Sequence, residues 1–129
     1  MDVDDLRKYF ERDRYASLCG VEIVEATFGS ALVKLRIEDR HLNGLDMAHG
    51  GCLFTLADMA FAVASNSHGV PAVAVSASIT YVKAVRSGVV FARAREVSRS
   101  RRLAVYAVEV TDEAGAVLCL FQGTVYIKA

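Results

Sequence analysis

The sequence predicts an α+β fold in which a curled antiparallel sheet wraps around one long central helix. Three observations predict it. A single apolar segment of helical length, about 50–67, opens on Gly50 and Gly51 and stops before Gly69 and Pro71. A run of that length suits a helix and is too long for an ordinary strand. Six further segments, at 21–26, 31–37, 72–83, 89–98, 103–111 and 117–127, have strand character. The later ones are joined by short connections at 86–88, 99–102 and 112–115, which imply antiparallel neighbours and a four-strand meander. Curling the sheet around the helix is the simplest way to bury it.

In chain order, residues 2–13 read as a short amphipathic helix. Asp2, Asp4 and Asp5 suit its positive end, and Leu6, Tyr9 and Phe10 share one face at helical spacing. Gly20 marks a break, and strands at 21–26 and 31–37 follow around a turn at 28–30. In the second strand Val33, Leu35 and Ile37 alternate with Lys34, Arg36 and Glu38, so the apolar set points inward and the charges outward. Residues 39–48 form a loop carrying His41, Asn43 and Gly44. The central helix ends at Gly69, a left-handed stop, and Pro71, the only proline, prevents its continuation.

With 129 residues, the chain has the size of one domain, 1–129, with a core of its own. Its 15 Lys and Arg balance its 15 Asp and Glu, which argues against nucleic acid or a membrane surface as partner. The apolar share, 53%, is high for a small monomer, so part of that surface is expected between subunits. The acidic start does not read as a signal peptide. Asp58 and the Ser65, Asn66, Ser67 run interrupt the apolar segment, so no membrane span is expected. Cys19, Cys52 and Cys119 show no metal-ligand spacing and read as reduced cytoplasmic thiols.

Asp58 is the chemical puzzle of the helix. An unpaired buried carboxylate is costly, so it needs a partner, a raised pKa or a function, and the helix offers no cation. The glycine pair at the helix start exposes backbone N–H groups and admits a ligand closely. Such donors, with the helix dipole, suit a carbonyl oxygen that turns negative during attack. Asp58 lies eight residues beyond Gly50, about 12 Å along the axis, so one reacting carbonyl cannot touch both. Two such helices packed antiparallel about a two-fold axis would bring Asp58 of one near Gly50 of the other. The spacing therefore suggests a shared site and a dimer.

The pattern Asn43-x5-His49-Gly50-Gly51-x6-Asp58, the sheet after it and Ile79-Thr80-Tyr81 resemble a hotdog-fold acyl-CoA thioesterase of the phenylacetyl-CoA thioesterase-like branch. The resemblance covers nearly the whole chain from about Leu18. It implies hydrolysis of acyl-CoA thioesters with an aryl or short to medium acyl group, by a homodimer or a dimer of dimers. No metal or cofactor is implied, coenzyme A being part of the substrate. By resemblance the Gly50 N–H polarises the thioester carbonyl, Asn43 and His49 position the loop and the leaving sulfur, and Gly51 adjoins the substrate. Asp58 of the partner subunit serves as general base on water or as nucleophile. Some relatives hold the water with a Ser or Thr early in the strand after the helix. That position falls on Ala74 here, a departure, and Ser76 and Ser78 are the candidates to replace it.

Arg99, Arg101 and Arg102, with Arg86, are candidates to meet the coenzyme A phosphates, against the plainer reading of a solvated hairpin. Cys52 reads as a small core residue without an activating base, and His41 and His68 as solvated loop residues. His49 has a plainer role open to it as a helix cap. Phe54 and Phe61 read as core, with one of them able to face the pocket near Asp58. Two other functions fit the same fold. A hydratase or dehydratase acting on acyl thioesters would want a His beside the carboxylate as proton shuttle. A non-catalytic acyl-CoA-binding module is favoured by Ala74.

Overall fold

The computed structural model describes residues 2–128 and contains the expected sheet and central helix. The short helix expected over 2–13 is α1 (Val3–Phe10), capped by Asp2, and a second short helix that was not expected, α2 (Arg14–Cys19), follows it. Asp13 is the reason. A short acidic side chain favours a cap over a helix interior, and Asp13 accepts the Ala16 N–H at 3.0 Å to begin α2. Gly20, at φ 90°, ends it.

The strands are β1 (Glu22–Thr27), β2 (Ser30–Arg36), β3 (Ala72–Tyr81), β4 (Val89–Arg99), β5 (Leu103–Thr111) and β6 (Val117–Ile127), with α3 (Gly50–Asn66) between β2 and β3. They form one antiparallel sheet in the order β1-β2-β4-β5-β6-β3. The expected meander is therefore only partly right. β4, β5 and β6 are joined by hairpins, but β3 pairs with β6 at the sheet edge, and β2 lies beside β4. The connection after β3 is held across the opening of α3. Val82 and Lys83 both donate to Leu118 O, while Val85 O accepts from the Ala48 N–H. A connection tied down this way crosses the structure and does not double back.

The concave face of the sheet packs on α3. Leu56, Ala60, Val63 and Ala64 of the helix are fully buried with Val33, Val90, Val110 and Leu118 of the strands, and each fully buried large side chain stabilises the fold by roughly 1.5–3 kcal/mol. Phe61 meets Tyr106 and Phe121 with ring centres 5.8 and 5.6 Å apart. Its ring presses so closely on β6 that a Cβ on Gly123 would lie 2.6 Å from it. One stripe of α3 escapes this cover: Gly51, Thr55, Asp58, Ala62 and Asn66 remain partly or fully open. A single sheet thus covers the helix on one side only. Beside that stripe, β3 is exposed along most of its length, with Val73 and Val75 in solvent and Tyr81 half-exposed.

The two histidines expected in solvated loops are engaged. His41 is buried, with its Nδ1 accepting the Glu38 N–H and its Nε2 2.6 Å from Cys19 O. His68 bonds Glu96 at 2.9 Å and stacks on Phe28. Among the described residues no helix is long and apolar enough to cross a membrane.

Candidate active site

The loop before α3 is shaped by Asn43. Its side-chain oxygen accepts the N–H groups of Leu45 and Met47 at 2.9 and 3.2 Å, and its own N–H donates to Met47 O. Arg86 braces the same loop through the carbonyls of Leu45 and Asp46. His49 is the N-cap of α3: its Nδ1 accepts the Gly51 N–H at 2.9 Å. An accepting Nδ1 places the proton of a neutral ring on Nε2, which is left as a donor. His49 O accepts from Cys52 and Leu53. Of the four N–H groups in the first turn, only that of Gly50 lacks an acceptor among the described residues.

Tyr81 holds Gly50 from the other side. Its hydroxyl donates to Gly50 O at 2.9 Å, and its ring stands where a side chain would go, since a Cβ on Gly50 would lie 3.2 Å from the ring. Burial and the nearby Cys119 push the Tyr81 phenol up, so it stays a donor at neutral pH. The groove at this helix start, about 230 Å³, is lined by Gly50, Met47, Leu53, Tyr81, Val82 and Lys83 among others.

Asp58 sits in a separate cavity of about 220 Å³ on the open stripe of α3, with Asp13, Tyr15, Phe54 and Met59. Burial, and secondarily the Asp13 charge, push its carboxyl above the ordinary aspartate range. Phe54 is thus the phenylalanine that faces Asp58, and Phe61 is core. The Thr55 hydroxyl is bonded to Gly51 O. Burial, then Cys19, push the Cys52 thiol up to about 11 against an opposing pull from Arg40, so it stays protonated.

Asn43, His49, Gly50 and Gly51 therefore stand together, and Asp58 stands apart from them along the helix. Ser76 and Ser78 do not replace the missing hydroxyl at Ala74. They lie opposite Thr124 and Gln122, whose side of β6 faces away from α3. Ser78 instead lines a cavity of about 410 Å³ on the convex face with Thr80, Arg93 and Arg95. Ala74, opposite buried Val125, faces inward, as do Ala77, Ile79 and Tyr81.

The arginine cluster is dispersed. Arg99 turns to Glu96, with its Nη1 3.8 Å from the carboxylate, Arg102 lies 6.0 Å over the Tyr126 ring, and Arg101 is exposed. This hairpin adjoins Ile127 and the C-terminal end of α3, away from Gly50. Sequence reasoning missed Asp13, Tyr15 and Lys83, and it gave Tyr81 no role. An aspartate three residues before a helical N–H was the one available signal for Asp13.

The sequence profile of the thioesterase superfamily matches residues 45–119. The chain is 34% identical over 115 residues to the acyl-coenzyme A thioesterase PaaI of Escherichia coli K12, covering 88% of this chain and 82% of that one. The solved structure of the E. coli PaaI protein from the phenylacetic acid degradation operon superposes with a TM-score of 0.93 at 30% identity, over 98% of this chain and 92% of that one. A thioesterase protein of Streptococcus pneumoniae TIGR4, solved with coenzyme A, gives 0.88 at 28% identity over 95% and 96%. Sequence and architecture agree, and the chain belongs to the thioesterase superfamily, as a hotdog-fold thioester hydrolase.

Proposed function

We propose that the chain hydrolyses acyl-CoA thioesters, with an aryl or short to medium acyl group, at a site shared by two copies. The observation that carries this reading is the unpaired Gly50 N–H over an apolar groove, with the half-buried Asp58 carboxylate about 12 Å farther along the same helix. A second copy packed against β3 and the open stripe of α3 would bring its Asp58 toward Gly50. The exposed apolar β3 edge favours such packing, because an uncovered edge strand is a ready pairing surface. Pairing of two such dimers is the further expectation.

In this reading the thioester carbonyl lies on the Gly50 N–H, which strengthens its hold as the oxygen becomes negative. Asp58 of the partner subunit takes a proton from water as the water oxygen bonds the carbonyl carbon. Collapse of the tetrahedral species breaks the C–S bond, and the thiolate of coenzyme A recovers the proton. Attack by the carboxylate itself gives an acyl anhydride that water then opens, with the same products. The His49 Nε2–H is the remaining side-chain donor at the loop and suits the leaving sulfur. The convergence of E. coli PaaI and the coenzyme A-bound S. pneumoniae thioesterase on this fold supports the substrate class. The chemistry needs no cofactor beyond the coenzyme A of the substrate.

A thiol-release screen over phenylacetyl-, short-chain and long-chain acyl-CoAs tests the reading. Asp58→Asn should keep the fold and lower kcat/KM by about 10²–10⁴-fold on the best substrate, as expected for loss of a general base. Retention of most activity would remove Asp58 from the chemistry. Ala74 favours one second reading. The inward face of β3 carries no hydroxyl besides Tyr81, whose own is bonded to Gly50 O, so a water has no Ser or Thr to rest on there. Tight coenzyme A binding without turnover of any acyl-CoA would mark a binding module.

A further inference from the structure

We propose that Ala16 and Met59 form the floor of the acyl pocket and set the length of acyl group that the enzyme accepts. This rests on the hydrolase reading above and deepens it. The cavity at Asp58 is flanked by two aromatic rings, Tyr15 from α2 and Phe54 from α3. Its volume, about 220 Å³, suits one aromatic ring and a short linker, since a cavity of about 150 Å³ already takes benzene. The reacting carbonyl lies near the carboxylate, so the acyl group extends from Asp58 toward its neighbours Tyr15, Phe54 and Met59.

A second cavity, of about 140 Å³, adjoins the first, between α1, α2 and β1. It is lined by Phe10, Val21 and Ile23 together with the polar Glu11 and Ser17, and by Arg7, which is tied to the carbonyls of Ile23 and Val24. Ala16 and Met59 line both cavities, and both are nearly fully buried. They therefore stand between an aryl-sized chamber and a second space whose apolar lining, Phe10, Val21 and Ile23, a longer chain could meet. The partition is thin: one small side chain on α2 and one unbranched side chain on α3. Methionine adapts readily to what packs on it, and the position can be shortened without disturbing the capping of α2.

The test uses non-hydrolysable thioethers of coenzyme A, S-phenethyl, S-octyl and S-dodecyl, titrated calorimetrically into the wild type, Met59→Ala and Ala16→Leu. Met59→Ala should raise the affinity for S-dodecyl relative to S-phenethyl by about tenfold or more, because additional methylenes leave water for the joined cavities. Ala16→Leu should lower S-octyl binding relative to S-phenethyl. If Met59→Ala does not fold, as judged by circular dichroism, Met59→Val and Ala16→Leu carry the same comparison. Length ratios within about twofold of wild type in the folded variants, or a wild type that binds S-dodecyl as well as S-phenethyl, would overturn the proposal. Thiol release from phenylacetyl-, octanoyl- and dodecanoyl-CoA is measured in parallel. Altered binding ratios with no hydrolysis by the wild type would refute the hydrolase reading and uphold the floor. Hydrolysis with unaltered ratios would do the reverse.

Discussion

Asp58 on α3 and Asp13 at the cap of α2 face one cavity, and among the described residues no cation lines it. Burial is the larger cause of the raised Asp58 carboxyl and Asp13 the smaller one. As a base, Asp58 works only when ionised, so the acid limb of kcat/KM against pH should rise through this raised value. Removing the Asp13 charge lowers it, which moves the limb toward lower pH. Asp13→Asn is the clean variant, because asparagine also caps helices and can keep an acceptor on the Ala16 N–H. The expected result is a limb displaced to lower pH with the plateau nearly unchanged. A limb that stays in place would mean that the two carboxyls do not communicate in the working enzyme.

At the scale of elements, the far end of α3 is fastened by Glu96 of β4. Its carboxylate accepts from Tyr106 of β5 at 2.7 Å and from His68 beyond the helix at 2.9 Å, with Arg99 at 3.8 Å. Its own N–H donates to Gly29 O in the β1–β2 turn. Burial alone would raise the Glu96 carboxyl. The Tyr106 and His68 bonds and the His68 and Arg99 charges outweigh burial and hold it below the ordinary range. A depressed carboxyl contributes stability above the unfolded-state value and loses it as pH falls through the folded one. Glu96→Gln should therefore lower unfolding stability at neutral pH by about 1.5–3 kcal/mol in urea titrations, and the gap from wild type should close as the pH falls through the acid range. Activity per folded molecule should hold, since this cluster lies away from Gly50. The same elements show where sequence stops informing. Helix α3 and its Gly50 and Asp58 spacing are local and were legible. The Glu96 and His68 pairing spans 28 residues, and no local pattern announces it. Ser76 and Ser78 were misplaced for a sharper reason. A bulge between Ala74 and Ser76 inserts Val75, and one extra residue reverses which face every later side chain takes. Likewise, the short connection after β3 looked like a hairpin because the hydrogen bonds that carry it across lie on Leu118 and Ala48.

For the molecule as a whole, one chain holds every part of the proposed site but not in one place. The donor sits at the start of α3, the carboxylate about 12 Å along it, and the apolar cover between them is missing on the same side as the exposed β3 edge. Subunit mixing separates a shared site from a private one. Asp58→Asn removes the base. Gly50→Pro removes the N–H, and proline is tolerated at the first helical position. His49 before it, at φ −61° and ψ 137°, already has the backbone a pre-proline residue prefers. The Tyr81 ring must yield slightly to the new ring, since a Cβ would stand 3.2 Å from it, so the Gly50→Pro protein is first checked for fold and assembly. Each variant alone should be nearly inactive. In a heterodimer both lesions fall in one site, and the other site combines the intact Gly50 of one chain with the intact Asp58 of its partner. Equal mixing with free exchange makes half the dimers heterodimers, each with one working site of two, so activity should recover to roughly a quarter of wild type. Differently tagged chains, purified through both tags, verify that exchange took place. Doubly tagged heterodimers no more active than either parent would show that each chain completes its own site, and the shared arrangement would have to be given up.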